Sequence, residues 1–453
     1  MALIGSDRVR AVVGLGKTGL ACVEFLARQG LEFYVVDSRD TPPGLEAAQA
    51  LCPAENIFTG SLEPLLTLGV TELYVSPGIP LAHPVLQQLA AQGVQMRGDI
   101  DLFKEHANAP IVAITGSNAK STVTTLVDLL LRAVGKRSVA GGNLGDPALT
   151  LLADDMDFYV LELSSFQLET TTDLGAKVAC VLNVSEDHMD RYPNLLAYQK
   201  AKQRIYQGCQ GAVCNKQDIL TVPLLQTNVP VRAFTTGQPD LYEYGLLQDD
   251  DLWLCRGVER LYKASDIRLQ GKHNLANVLS CLAMVELCGV DPKHPAIAEV
   301  LASFAGLPHR CEHVATVDGV TYINDSKGTN VGATLAALQG FGSAARNIHL
   351  IAGGDGKGAD FKDLARAAKQ FVKHSYLFGK DAAAIEQVLE QQHCGYSRYR
   401  DLEEIFQSLK ATVAPGDIVL FSPACASLDM YKNFEARGEH FCRLVGELPC
   451  SVV

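Results

Sequence analysis

The chain has 453 residues, of which 47% are hydrophobic and 20% are charged, and its formal net charge is −12. This length predicts about three domains of roughly 150 residues each, and the acidic balance argues against a broad surface for nucleic acid or anionic membranes. No stretch approaches the ~18 uncharged apolar residues of a membrane helix, and the scattered cysteines, which form no CxxC pair, predict reduced thiols in a cytoplasmic protein.

The first elements alternate β-type and helical runs, as in an α/β domain with a parallel sheet. Val9–Leu15 and Leu31–Val36 are predicted strands, and a helix is predicted between them over Gly19–Arg28. The loop GLGKTG at 14–19 follows the first strand, and Asp37 follows the second. This arrangement is that of a dinucleotide fingerprint, which predicts a diphosphate and a ribose but does not distinguish NAD, FAD and a UDP-sugar.

A second strand–loop–helix unit begins after Pro110. The strand Ile111–Ile114 leads into the loop TGSNAKST at 115–122, and an amphipathic helix follows. Such a loop turns backbone amides and a helix N-terminus toward an anion. Lys120 is therefore predicted to reach the β- and γ-phosphates of ATP, and Ser121 to bind magnesium. The general phosphate-loop pattern is not met, because Ile114 and Ala119 occupy its two glycine positions.

Neighbouring strands carry candidate metal ligands. Glu162 ends the apolar run Tyr159–Leu161, and His188 lies shortly after the strand Val178–Leu182. Ligands in open parallel sheets sit beyond the carboxyl ends of the strands, so Glu162 and His188 are predicted to bind magnesium near the phosphate loop. Taken singly, Glu162 is equally compatible with a solvated charge, and a lone histidine such as His188 more often has a structural role.

The rest of the chain predicts further α/β structure. A strand- and turn-rich stretch runs from Thr235 to Leu269, helical periodicity returns after His273, and a hinge is predicted at Gly306–Pro308. We expect a Rossmann-like N-terminal domain over 1–98 and a central P-loop ATPase-like domain, with a parallel sheet plus a small strand-rich part, over 99–306. A doubly wound α/β domain is expected over 307–453.

A series of motifs, in the same order along the chain, resembles those of the Mur ligases, a family that builds the peptide stem of bacterial cell-wall precursors. These motifs are TGSNAKST at 115–122, GKHNLAN at 271–277, LPHR at 307–310, NDSKGTN at 324–330, GGDGK at 353–357 and SPACASLD at 422–429. The resemblance spans essentially the whole chain. It departs at Ala119, where most members have glycine, and a Cβ there limits the loop to negative φ unless strain is tolerated.

The resemblance implies an ATP-dependent amide ligase that joins D-glutamate to UDP-N-acetylmuramoyl-L-alanine through an acyl phosphate. The glycine-rich N-terminus and the stretch 422–438 are the features that favour D-glutamate as the amino acid. The implied setting is cytoplasmic peptidoglycan precursor synthesis, by a monomer that has no nucleic-acid or membrane partner. The implied cofactors are ATP, two Mg²⁺ ions and carbon dioxide. The segment YQKAKQRIY at 198–206 resembles the family segment with a carbamylated lysine, and its tyrosines select Lys202 over Lys200.

The resemblance also implies individual roles. The implied ATP-binding residues are Gly116, Ser117, Asn118, Ala119, Lys120, Ser121, Thr122, Asn274, Asn277, Arg310 and Asp325, and the implied UDP-substrate residues are Lys17, Thr18, Asp37, Ser38, Arg39, Ser76, Gly78 and Asn143. The implied D-glutamate residues are Thr329, Lys357, Ser427 and Phe434; the metal ligands are Ser121, Glu162, His188 and the Lys202 carbamate; and the catalytic residues are Lys120, His188, Lys202, Arg310 and Lys357.

Rival interpretations remain open at this point. One is another amide ligase of the same superfamily, either a folylpolyglutamate synthase or a Mur ligase that adds a different amino acid. A second is a nicotinamide-dependent oxidoreductase built on the loop at 14–19, which would leave the Lys120 loop unexplained. A third is a silent nucleotide-binding protein in which Ala119 is the lesion.

Overall fold

A computed structural model of the protein describes residues 8–225, 228–269 and 271–448. The outer ends of the first and third predicted domains, 1–7 and 449–453, lie outside these ranges. The described residues form two compact units: those within 8–184, 196–264 and 277–300 make up one, and those within 185–195, 265–276 and 301–448 make up the other. None of the described helices combines the length and the apolar character that crossing a membrane requires.

The first sheet lies in the first unit and is wholly parallel, with strand order β3-β2-β1-β4-β5. Its strands are β1 (Arg10–Val13), β2 (Tyr34–Asp37), β3 (Ile57–Thr59), β4 (Glu72–Val75) and β5 (Gln95–Arg97), and its helices are α1 (Lys17–Arg28), α2 (Leu45–Gln49) and α3 (Pro84–Ala91). The order reverses between β1 and β4, and a crevice at such a switch point is where α/β sheets bind ligands. This topology confirms the Rossmann-like expectation.

The second sheet has the order β14-β13-β12-β11-β10-β9-β6-β8-β7. Its strands are β6 (Ile111–Thr115), β7 (Ser138–Gly142), β8 (Phe158–Glu162), β9 (Val178–Val181), β10 (Ala212–Asn215), β11 (Val231–Phe234), β12 (Tyr244–Gln248), β13 (Leu252–Arg256) and β14 (Glu259–Lys263). The helices of this part of the chain are α4 (Asp99–His106), α5 (Lys120–Ala133), α6 (Ser165–Thr170), α7 (Leu195–Gln203), α8 (Lys272–Leu287) and α9 (Pro295–Ser303). In this order, all neighbouring strands between β12 and β7, including β6, pair in parallel. Strands β13 and β14 add the antiparallel, strand-rich edge.

The third sheet lies in the second unit and has the order β15-β16-β20-β17-β18-β19. Its strands are β15 (Glu312–Val317), β16 (Val320–Asn324), β17 (Ile348–Gly353), β18 (Val372–Phe378), β19 (Tyr396–Arg398) and β20 (Ile418–Phe421), with helices α10 (Val331–Phe341), α11 (Lys362–Phe371), α12 (Ala382–Gln391), α13 (Leu402–Thr412) and α14 (Phe434–Gly446). Leu350 packs with α10–α12 and its neighbour Ile351 with α13 and α14. Successive strand residues face opposite sides, so both faces are covered and the sheet is doubly wound, as predicted.

Candidate functional site

The phosphate loop lies between β6 and α5, as the sequence predicts. The Lys120 ammonium folds back over the loop and donates to the carbonyl oxygens of Gly116 (2.8 Å) and Ser117 (3.0 Å). Ala119 caps the helix with φ 67° and ψ −3°, in the left-handed region. Ala119 is therefore in the strained conformation and not at negative φ, and the left-handed region costs an alanine about 1–2 kcal/mol. A loop that leads into a helix N-terminus in this way is the general arrangement at which proteins bind anions.

Lys202 lies on α7 and reaches the same loop. Its side chain is 1% exposed, and its Nζ donates to the Gly116 carbonyl oxygen at 2.8 Å. The same Nζ lies 4.4 Å from the centroid of the Tyr198 ring. The Lys120 and Lys202 amines therefore meet at one carbonyl, so the predicted modification site lies at the phosphate loop.

Glu162 has the environment of a cation ligand. It is the last residue of β8, next to β6, and it is 2% exposed. Its Oε1 accepts a hydrogen bond from Asn143 Nδ2 at 2.6 Å, whereas its buried Oε2 accepts none from the described residues. Burying a carboxylate oxygen without a partner is costly unless a cation meets it. Carboxylate oxygens suit Mg²⁺, so Glu162 fits a magnesium site.

The switch point of the first sheet carries most of the predicted UDP-substrate residues. Asp37 is buried at the end of β2, where it accepts hydrogen bonds from the Leu15 amide (2.6 Å) and from the Arg39 amide and guanidinium (2.7–2.9 Å). Burial acts to raise the pKa of Asp37, but these bonds outweigh it and lower the pKa below its usual value. Ser76 Oγ donates to the Gly14 carbonyl at 2.7 Å. The Asp37 carboxylate is thus ionised and held in place beside the glycine loop.

Lys17 connects this region to the loop after β7. Its Nζ donates to the Gly145 carbonyl oxygen at 2.6 Å and lies 4.0 Å from the Asp146 carboxylate. Asn143, in the same loop, turns its side chain to Glu162. Both predicted substrate residues therefore have protein partners in this structure. Of the others, Thr18 is half-buried and Ser38 and Gly78 are exposed.

In the second unit, a buried arginine joins the loops that follow β16 and β20. Arg437 is 1% exposed and donates to the Ser326 carbonyl oxygen (2.8 Å), Ser326 Oγ (3.1 Å) and the Cys425 carbonyl oxygen (3.1 Å). Burial lowers the pKa of Arg437 to about 10. The predicted residues Thr329 and Ser427 lie on these two loops. The stretch 422–438 singled out in the sequence contains Arg437, but only the fold shows that this residue supports the two loops.

Asp325 is buried at the end of β16. It accepts hydrogen bonds from Ser422 Oγ (2.6 Å) and the Cys311 amide (3.1 Å). Burial raises the pKa of Asp325 to about 6, and these bonds and the nearby charge of Arg310 oppose the rise. Of the remaining predicted ATP residues, Ser121 and Thr122 are buried in the first turn of α5, and Asn274 and Asn277 are buried on α8.

Lys357 meets an acidic residue to which the sequence had assigned no role. Its Nζ lies 3.2 Å from Asp187 Oδ1, and Asn330 Nδ2 donates to Asp187 Oδ2 at 3.1 Å. His188 Nε2 lies 3.6 Å from the same carboxylate. The only sequence signal for Asp187 was its position before His188.

At the start of α14, Phe434 has the Lys327 ammonium 4.0 Å from its ring centroid.

Comparison with protein families gives matches along most of the chain. Residues 8–98 match the profile described as Mur ligase MurD-like, N-terminal domain; 114–285 match the Mur ligase middle domain; and 309–425 match the Mur ligase, glutamate ligase domain. The chain is 49% identical over 450 residues to proteins of Pseudomonas fluorescens and Pseudomonas aeruginosa named UDP-N-acetylmuramoylalanine–D-glutamate ligase, and each match covers 99% of this chain and 100% of the relative.

Solved structures share the fold at low sequence identity. A pseudomurein peptide ligase type C from Methanothermus fervidus matches with TM-score 0.62 and 14% identity, over 98% of this chain and 100% of that one. A UDP-N-acetylmuramate-alanine ligase from Thermotoga maritima matches with TM-score 0.59 and 17% identity, over 97% and 99%. Because three Mur ligase profiles match the chain and a full-length relative is 49% identical to it, the chain belongs to the Mur ligase family.

Proposed function

We propose that this protein is an ATP-dependent ligase that joins D-glutamate to UDP-N-acetylmuramoyl-L-alanine in cytoplasmic peptidoglycan precursor synthesis. The observation that carries the proposal is the near-half identity, over the whole chain, to relatives named for this reaction. The phosphate loop with Lys120, beside the buried and half-partnered Glu162 carboxylate, supports ATP chemistry. The profiles describe ligase domains, so they do not support the oxidoreductase alternative.

The proposed reaction has two steps. The γ-phosphoryl group of ATP passes to a carboxylate oxygen of the L-alanyl group, giving an acyl phosphate and ADP. The neutral amine of D-glutamate then attacks the carbonyl carbon, the new C–N bond expels inorganic phosphate, and the amine loses a proton. Both steps bring anions together, so positive charge at Lys120 and Arg310 would stabilise the transition states.

The chain's own residues would bind and orient the reactants. The loop from Gly116 to Thr122 would hold the triphosphate, Asp325 would bind the ribose of ATP, and Asn274 and Asn277 would bind its adenine. Two Mg²⁺ ions would shield the negative charge of the phosphates, one bound by Ser121 and Glu162 and the other by His188. The switch point of the first sheet would take the UDP group, with Asp37 as an acceptor for hydroxyl groups.

For D-glutamate, we propose that Lys357 neutralises the side-chain carboxylate and that Ser427, Thr329 and the start of α14 at Phe434 donate hydrogen bonds. Lys357 contacts the Asp187 carboxylate in this structure, which supports the proposal that Lys357 binds a carboxylate of the substrate.

We also propose that Lys202 carries a carbamate as a further magnesium ligand. Its neutral amine would attack carbon dioxide, forming an N–C bond and releasing a proton to solvent. The resulting anionic oxygens suit a hard cation better than an ammonium does. The position of Lys202 Nζ at the phosphate loop supports this assignment.

The test measures phosphate release with ATP, UDP-N-acetylmuramoyl-L-alanine and a panel of L- and D-amino acids. We expect release with D-glutamate and none with L-alanine or a diamino acid. Lys357→Ala should raise the KM for D-glutamate by about tenfold or more, because a charge-assisted contact is lost. Lys369→Ala, which removes an exposed lysine on α11, is the control. Turnover with L-alanine but not with D-glutamate would overturn the proposal, and ATP binding without turnover would indicate a silent protein.

A further inference from the structure

Asn183, just beyond β9, makes an unusual set of contacts with the phosphate loop. Its Oδ1 accepts a hydrogen bond from the Asn118 amide (2.8 Å), and its Nδ2 donates to the Asn118 carbonyl oxygen (3.2 Å). Its own carbonyl oxygen accepts from the Ser117 amide (2.9 Å). A side-chain amide that pairs with both the N–H and the C=O of one residue fixes that residue's position and its orientation.

The residue after this pair is the strained one. Ala119 holds φ 67°, which its Cβ disfavours. The chain is anchored on both sides of it, by Asn183 at Asn118 and by the first bond of α5, in which the Val123 amide donates to the Ala119 carbonyl oxygen (3.0 Å). A left-handed non-glycine residue persists only where its surroundings impose that conformation. Without the bonds at Asn118, Ala119 could relax to negative φ and reorient the loop.

We propose that Asn183 is a positioning residue for the nucleotide site: its side-chain amide holds Asn118 so that Ala119 stays left-handed and the loop keeps its anion-binding shape. The inference deepens the proposed ATP-dependent function and rests on it for the identity of the ligand. Asn183 acts through the loop and is not assigned a contact with ATP.

Hydrogen exchange tests the holding role without any nucleotide. In Asn183→Ala, the Asn118 amide and the peptide 115–121 should exchange about tenfold faster, because a hydrogen bond and a local restraint are lost. The matched control is Asn215→Ala. Asn215 ends the adjacent strand β10, is half-buried, and bonds through its side chain to the Leu182 carbonyl oxygen (3.3 Å) and the Gln217 amide (3.0 Å). Parent-like loop exchange in Asn183→Ala would overturn the proposal.

A double-mutant cycle tests the link to Ala119. ATP affinity is measured by calorimetry in the absence of the other substrates. Asn183→Ala should raise the Kd for ATP about tenfold, and Ala119→Gly should lower the Kd far more in that background than in the parent, because the parent loop is already held. In the double variant, glycine adopts positive φ without help, so most of the affinity should return. If Ala119→Gly has the same effect in both backgrounds, the inference is wrong.

Two further measurements keep the outcomes separate. Circular dichroism checks folding, and if Asn183→Ala is unfolded, Asn183→Ser replaces it, because serine is too short to form the paired bonds. In Asn183→Ala, the KM for D-glutamate should stay near that of the parent. A general loss of structure would change both this KM and the Kd for ATP. If the parent itself does not bind ATP, the proposed function fails, and hydrogen exchange still decides whether Asn183 holds the loop.

Discussion

Asp99, the first residue of α4, is a carboxylate that folding removes from water. It is 2% exposed, and its Oδ2 accepts a hydrogen bond from Gln167 Nε2 at 3.2 Å. Burial raises the pKa of Asp99 to about 6, more than the bonds from Gln167 and the helix backbone lower it. The folded state therefore holds the proton of Asp99 more tightly than the unfolded chain does.

This shift predicts a pH dependence of stability. Protonated Asp99 favours the fold, so its contribution is fully present below pH about 4 and is lost as the pH rises through about 6. Because a pKa unit corresponds to about 1.4 kcal/mol, the free energy of unfolding of the parent should fall relative to Asp99→Asn by up to about 3 kcal/mol over this window. Urea unfolding of parent and variant at pH 4 to 7 measures this difference in free energy. The control is the substitution Asp154→Asn at an exposed residue. Parallel curves for parent and Asp99→Asn would contradict the assignment.

Lys202 and Lys200 lie on the same helix and form a matched pair. Lys202→Ala should reduce turnover on the order of 10²-fold, because a proposed metal ligand is lost. Acetate or formate should restore part of it by supplying carboxylate oxygens. Lys200→Ala should keep most of the activity. A carbamate signal with ¹³C-labelled bicarbonate should be present in the parent and absent in Lys202→Ala, and full activity of Lys202→Ala would contradict the carbamate.

The packing of α1 on the first sheet depends on a glycine. A Cβ at Gly19 would overlap the Gly14 carbonyl oxygen and lie 2.6 Å from Ser76 Oγ, whereas a Cβ at Gly16 would meet nothing within 4 Å. The helix thus lies against the glycine loop at a distance that only a glycine permits. This is the usual role of the third glycine in a dinucleotide-type loop.

The two glycines therefore predict opposite outcomes. Gly19→Ala should push α1 away from the loop and cost about 1–3 kcal/mol of unfolding free energy, as overpacking does. It should also weaken binding of the UDP substrate. Gly16→Ala should cost less than about 1 kcal/mol, because its Cβ is unobstructed. Thermal unfolding and UDP-substrate titration measure both effects, and equal losses in the two variants would contradict this account of the packing.

The proposed substrates use residues from both compact units. The phosphate loop and the residues proposed for the UDP substrate belong to the first unit, whereas Lys357, Asp325 and Arg310 belong to the second. Ligands that contact both units favour whichever arrangement makes those contacts. We therefore expect the small-angle scattering profile to change when a non-hydrolysable ATP analogue and UDP-N-acetylmuramoyl-L-alanine are present together. Either ligand alone is the control, and an unchanged profile at saturation would contradict the expectation.

Local patterns in the sequence predicted much of the architecture. The alternation of apolar and helical runs predicted the parallel sheets, and the strand before the phosphate loop, predicted as Ile111–Ile114, is observed as Ile111–Thr115. Boundaries in the first domain were less accurate: Leu31–Val36 was predicted where β2 covers Tyr34–Asp37. Apolar periodicity marks which residues are buried, but strand ends depend on pairing with other strands.

The sequence by itself determined the family, the order of the motifs and the residue types of the candidate site, because each motif is a short stretch whose chemistry is local. Only the tertiary structure decided which partners these residues meet. Asn183 pairs with Asn118 across 65 positions and Lys357 with Asp187 across 170. The left-handed conformation of Ala119 likewise follows from its anchored surroundings, since an isolated alanine disfavours it. Such contacts form where distant segments pack together, and no local pattern records them.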